Sequence, residues 1–158
     1  MTQPLILDYK EYPIEKRGNR GKLGSKKPLI ELSPKEFPNR KVWCLIDSGA
    51  DSSISFKQIG EIYFGLKFSE KERIPNDVSG LHTCPDINCG QHPKKAPLYL
   101  KPIAFQVDGK NITLNVRWID RGFDPKEDFL FILGRDFFEY FDIMFKQREQ
   151  ECWLYPIR

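Results

Sequence analysis

Two groups of side chains in this chain have the types and spacing to do chemistry. The first is a carboxylate, Asp47, which closes the apolar run Cys44-Leu45-Ile46 and precedes Ser48-Gly49-Ala50, small residues that let backbone approach closely. A carboxylate so placed has its surroundings set by the strand before it and the turn after it. The second is His82-x-Cys84-x4-Cys89-x2-His92, which gathers both histidines and two of the four cysteines into 11 residues. Thiolate and imidazole suit tetrahedral zinc, and ligands so clustered could order a polar loop with little core of its own. The spacing departs from the usual one, in which paired zinc cysteines lie about two to four residues apart and further ligands sit at a distance. Three readings therefore stand side by side: a structural zinc site, a Cys84–Cys89 disulfide, and free residues in a loop. A disulfide is disfavoured in a reducing compartment. No HExxH pairing sets a general base beside His82 and His92, which argues against a zinc hydrolase.

The elements that must position Asp47 read mainly as strands. PLIELS from Pro28 and KVWCLID are β-branched and aromatic runs separated by the breaker-rich SPKEFPNR, a hairpin that delivers its second strand to Asp47. In ISFKQIGEIYFGL, Ile54, Gln58, Ile59, Ile62, Tyr63 and Leu66 recur at helical spacing, so a short helix is expected there. PLYLKPIAFQVDGKNITLNVRWID predicts two strands around Asp108-Gly109. FLFIL predicts a buried strand, GRDFFEYF a short helix, and FDIMFKQREQECWLYPIR a last hairpin turning at Gln147 to Glu149. The fold class expected from this tally is all-β, a closed or nearly closed barrel with one or two short helices.

On the segments CLIDSGADSSISF and FLFILGRDFF the chain resembles the retropepsin-like aspartic peptidases, single-domain proteases of the retroviral type. Their pattern is Asp-Ser/Thr-Gly-Ala after hydrophobic residues, then hydrophobic residues, Gly-Arg-Asp or Gly-Arg-Asn and a short helix. The resemblance runs from about Pro28 to Pro156 and implies peptide-bond hydrolysis without a catalytic cofactor. It makes Asp47 the catalytic carboxylate, with Ser48, Gly49, Ala50, Asp51, Gly134 and Arg135 supporting the active-site loop. Ser48 would bond across a dimer, and the Gly49 N–H would approach the carboxylates. Asp51 and Arg135 would form an ion pair beneath the loop, since a guanidinium fork can hold a carboxylate at two points. The plainer readings are a turn-capping Asp47 and two unrelated surface charges. This route needs two carboxylates sharing one proton, and the chain holds one Asp-Ser-Gly-Ala, so the second must come from another copy. A homodimer binding an extended peptide is implied, with Cys152 to Ile157 as candidate interface strand.

The resemblance also implies a flap, a hairpin that closes over substrate, within an insertion at 76–97. Val78-Ser79-Gly80-Leu81 matches its first half as the substrate-binding part, and the His/Cys cluster follows directly. Residues 1–27 read as a separate basic, flexible segment, with an apolar patch at Leu5, Ile6 and Leu7, ahead of the peptidase domain at 28–158. The alternative function is a non-catalytic module of the same fold that uses the flap insertion and the basic segment to hold a protein or nucleic acid.

Composition bounds these readings. At 158 residues, 40% of them hydrophobic, one domain with a core that needs no disulfide staples is expected. Buried roles fit Cys44 and Cys152. A formal charge of +3 is too small to point to a nucleic-acid partner by itself. No run reaches the ~18 apolar residues of a membrane span, and acids interrupt the start, so a cytoplasmic location is expected and no membrane partner.

Overall fold

Alternation at period two decides most of the architecture. In β3 (Val42–Ile46) residues Val42, Cys44 and Ile46 are buried while Trp43 and Leu45 are half-exposed, and β6 (Lys110–Ile119) buries Ile112, Leu114, Val116 and Trp118 in the same rhythm. The computed structural model describes residues 3–11, 26–74, 96–123 and 130–158. Within them, β2 (Leu29–Pro34) and β3 form the first hairpin, and β5 (Leu98–Val107) and β6 the second. The second turns at Asp108-Gly109 with φ of 48° and 75°, two left-handed residues in a row, which is why Asp-Gly serves there. β4 (Ile54–Phe56) and β7 (Phe131–Leu133) complete a closed barrel in the order β2-β3-β7-β4-β6-β5. Closure comes from β5 returning to β2 through Ser33↔Gln106 and Pro34↔Phe105.

Aromatic rings fill the barrel. Phe105, Phe131 and Trp118 are fully buried and meet edge to face at 5.5–5.9 Å, with Phe64 of α1 (Lys57–Phe64) capping them at 6.1–6.4 Å. The Trp118 indole N–H donates to the Lys101 carbonyl at 3.0 Å, so the largest core side chain leaves no polar atom unsatisfied. Helix α1 begins three residues later than the apolar spacing suggests, because Ile54–Phe56 are taken into β4, where they pair with β6 and β7.

Outside the barrel, β1 (Leu5–Asp8), β9 (Glu151–Pro156) and β8 (Phe141–Lys146) form a three-stranded antiparallel sheet in the order β1-β9-β8. Its inner face buries Cys152 and Leu154 against the core, and its outer face sets Ile6, Trp153 and Met144 in one row. Leu5–Asp8 is thus part of the folded body and not of a free linker. The basic stretch 12–25 lies outside the described residues. β9 was expected as an interface strand, but it is flanked on both sides by its own chain; the open edges of this sheet are β1 and β8. No helix among the described residues is long and apolar enough to cross a membrane.

Candidate active site

Asp47 sits where β3 ends beside β7. These strands run parallel, with Leu45↔Ile132 and Ile46↔Leu133 in register, and the Asp47 N–H continues the ladder by donating to the Leu133 carbonyl at 3.0 Å. The chain then turns sharply: Ala50 N–H donates to the Asp47 carbonyl at 3.2 Å, and Gly49 N–H donates to Asp47 Oδ1 at 2.9 Å. The carboxylate is thereby oriented by a backbone donor two residues away and remains partly exposed to solvent. Ser48 and Gly49 are exposed beside it.

The loop 47–53 is strapped to the second motif by contacts far apart in sequence. Ser53 is fully buried; its N–H and its Oγ–H both donate to Asp136 Oδ1, at 2.8 and 2.7 Å, and its Oγ accepts from Gly134 N–H at 3.2 Å. Arg135 N–H donates to the Ala50 carbonyl at 3.1 Å. The backbones press so closely that a Cβ on Gly134 would lie 2.4 Å from the Ser52 carbonyl carbon and 2.8 Å from Ala50 O, so only glycine fits. Asp136 and Ser53 were missed by sequence reasoning, which saw in Gly134-Arg135-Asp136 only its arginine as a partner. The signal was the carboxylate two residues after the glycine, at the start of α2 (Arg135–Phe138). Among the described residues Asp136 Oδ2, which is buried, finds no hydrogen-bond partner.

Asp51 and Arg135 do approach, but Arg135 Nη1 stands 3.9 Å from Asp51 Oδ1 and the two side chains are 75% and 86% exposed. They lie at the surface of the loop and not beneath it; the buried link under the loop is Ser53–Asp136. The reason is packing. Arg135 heads a four-residue helix whose inward side chain is Phe137, so its guanidinium faces solvent.

Of the apolar residues near the motifs, Phe56, Leu133 and Phe137 are core, while Ile132 and Phe138 are half-exposed. Cys44 and Cys152 are buried free thiols; desolvation pushes Cys44 well above its ordinary pKa and Cys152 up to about 11, which disfavours the thiolate at both. Val78, Ser79, Gly80 and Leu81, like the cluster His82, Cys84, Cys89 and His92, lie outside the described residues. Among the described residues no group of His, Cys, Asp and Glu is arranged to hold a metal ion.

Comparison with known proteins finds no family model that matches the chain and no match among curated proteins. Solved structures do resemble it. A retropepsin-like aspartic protease from Rickettsia conorii covers 98% of this chain and 94% of its own at 12% identity, with a TM-score of 0.49. The retroviral protease-like domain of Ddi1 from Leishmania major covers 85% of this chain and 97% of its own at 13% identity and a TM-score of 0.48. The EIAV protease, complexed with an inhibitor, covers 73% of this chain and 88% of its own at 18% identity and a TM-score of 0.46. At these identities and TM-scores no activity, substrate or assembly passes from them to this chain.

Proposed function

We propose that this chain is an aspartic endopeptidase whose active unit is a homodimer, each copy contributing its Asp47. The observation that carries the reading is the loop itself. A strand-end carboxylate held by the Gly49 N–H is strapped at its base by Ser53 and Asp136, a rigid mount for one carboxylate in a chain with one Asp-Ser-Gly-Ala. Two such loops facing across a two-fold axis would put two carboxylates together, and like charges so close share a proton.

The chemistry follows from that shared proton. The ionised Asp47 takes a proton from a water molecule as its oxygen bonds to the peptide carbonyl carbon, while the protonated Asp47 of the other copy donates to the carbonyl oxygen. Collapse breaks the C–N bond as the amide nitrogen receives a proton from the dyad. Rate is highest with one proton on the pair, so activity falls on both the acid and the alkaline side of the optimum.

The test is Asp47→Asn. Loss of roughly 10²–10⁴-fold or more in peptide cleavage is expected, with sedimentation showing the same oligomer as the unmodified chain. Cleavage that survives the change in an intact dimer would sink the assignment. Dilution below the dimer dissociation constant should likewise remove activity, because the site exists only in the pair.

A further inference from the structure

Arg117 has no role in the scheme above, and its position is specific. β4 runs parallel to β6 with Ile54↔Arg117 in register, and β4 pairs with β7 through Ile54↔Ile132, which in turn is level with Leu45 of β3. Residues level across a sheet share a face. One outward row therefore runs Leu45, Ile132, Ile54, Arg117 and, in β5, Leu100. The first three are half-buried aliphatic residues and Leu100 is 46% exposed. The row starts two residues before Asp47, so on the peptidase reading a peptide held extended at the carboxylate would lie against it.

Arg117 interrupts this apolar row with a fixed charge. Its backbone N–H is committed to the Ser53 carbonyl at 2.9 Å, which ties it to the base of the active-site loop. The residue is half-buried, yet among the described residues no carboxylate comes within ion-pair distance of it. Two nearby cations are matched: Lys57 has Asp120 at 3.4 Å and Lys101 has Glu72 at 2.6 Å. A guanidinium set among half-buried aliphatic side chains gains a charge-assisted partner when a carboxylate arrives.

We infer that Arg117 is a specificity-determining residue that selects an acidic side chain in the bound peptide, within a few residues of the bond that is cut. The inference rests on the peptidase reading for where the peptide lies. From β3 to β6 is three inter-strand steps of about 4.8 Å, or about 14 Å, and an extended peptide advances about 3.3 Å per residue. The acidic position therefore falls within about four residues of the scissile bond, with apolar side chains between the two on Leu45, Ile132 and Ile54.

The probe is a set of fluorescein-labelled octapeptides of Leu, Phe and Ala in which one Glu is moved through the sequence, each paired with its Gln counterpart. Binding to the full chain carrying Asp47→Asn, read by fluorescence polarisation at low salt, should favour Glu at one position by about three- to tenfold, the range of a partly screened pair. Adding Arg117→Gln should erase the difference, Arg117→Lys should keep it, and Arg117→Glu should transfer it to a Lys peptide at the same position. Equal binding of every Glu and Gln pair, no binding of any peptide, or a preference that persists in Arg117→Gln would overturn the inference. Far-UV circular dichroism confirms that each variant is folded. Incubation of the same peptides with the unmodified chain separates the two readings. Cleavage without an acidic preference removes the role of Arg117 and leaves the peptidase; an Arg117-dependent preference in binding without any cleavage does the reverse.

Discussion

Two side-chain links join the loop that carries Asp47 to the segment Gly134-Arg135-Asp136, and they differ in kind. Ser53–Asp136 is inside the protein, with bonds of 2.7 and 2.8 Å to one carboxylate oxygen. Asp51–Arg135 is at the surface, 3.9 Å apart and largely solvated. Full charge favours the second pair, yet burial favours the first: water screens the exposed ions, whereas a buried hydroxyl and amide have no substitute for the acceptor they would lose. The mount of the carboxylate is therefore held by a neutral donor pair and close backbone contact more than by an ion pair.

The largest effect should come from the contact that leaves no room to adjust. Gly134→Ala drives a methyl into the Ser52 and Ala50 backbone, and a loss of about 3 kcal/mol or more is expected in chemical denaturation. Next, Asp136→Ala strips the acceptor from two Ser53 donors and should cost about 1–3 kcal/mol, while Asp136→Asn, which keeps an oxygen for them, should cost less. Equal losses for the Ala and Asn variants would show that the link does not act through its hydrogen bonds.

A third pair sits between the extremes. Lys101 and Glu72 meet at 2.6 Å with side chains 25% and 24% exposed, and Glu72 is lowered from its ordinary pKa by the Lys101 hydrogen bond first and the Ser69 N–H second. Because the folded state holds this carboxyl more acidic than the unfolded state does, its contribution is present above the ordinary pKa of about 4.5 and is lost as pH falls through the folded value. Glu72→Gln should therefore lower Tm at neutral pH and flatten its decline between about pH 5 and pH 3. The smallest effect is expected for Arg135→Gln, at most about 1 kcal/mol and vanishing in high salt. A larger, salt-resistant loss would reverse the ranking of the two links.

Much of this fold is legible in the sequence because its signals are local. Asp108-Gly109 between alternating runs, the apolar stretch into Asp47 and the Gly134 motif each act within a few residues, and the structure has the hairpin, the strand end and the helix where they stand. The start of α1 was misplaced because Ile54–Phe56 fit either period, and only their neighbours in β6 and β7 select the strand. β1 was read only as an apolar patch in a flexible segment, since four residues carry too little pattern to announce a partner some 145 positions away, in β9.

What the sequence alone determined is the number of carboxylates of this type per chain and the chemistry available to them. These 158 residues hold one Asp-Ser-Gly-Ala, so the paired-carboxylate chemistry proposed above needs a second carboxylate that this segment does not repeat. What only the tertiary structure decided is which residues hold and flank that carboxylate: Ser53 against Asp136, 83 positions apart, and Arg117 level with Ile54 and Ile132. Parallel pairings and long crossovers have no short-range signature, because the hydrogen-bond partners of a strand are chosen by burial of its inner face against a distant one.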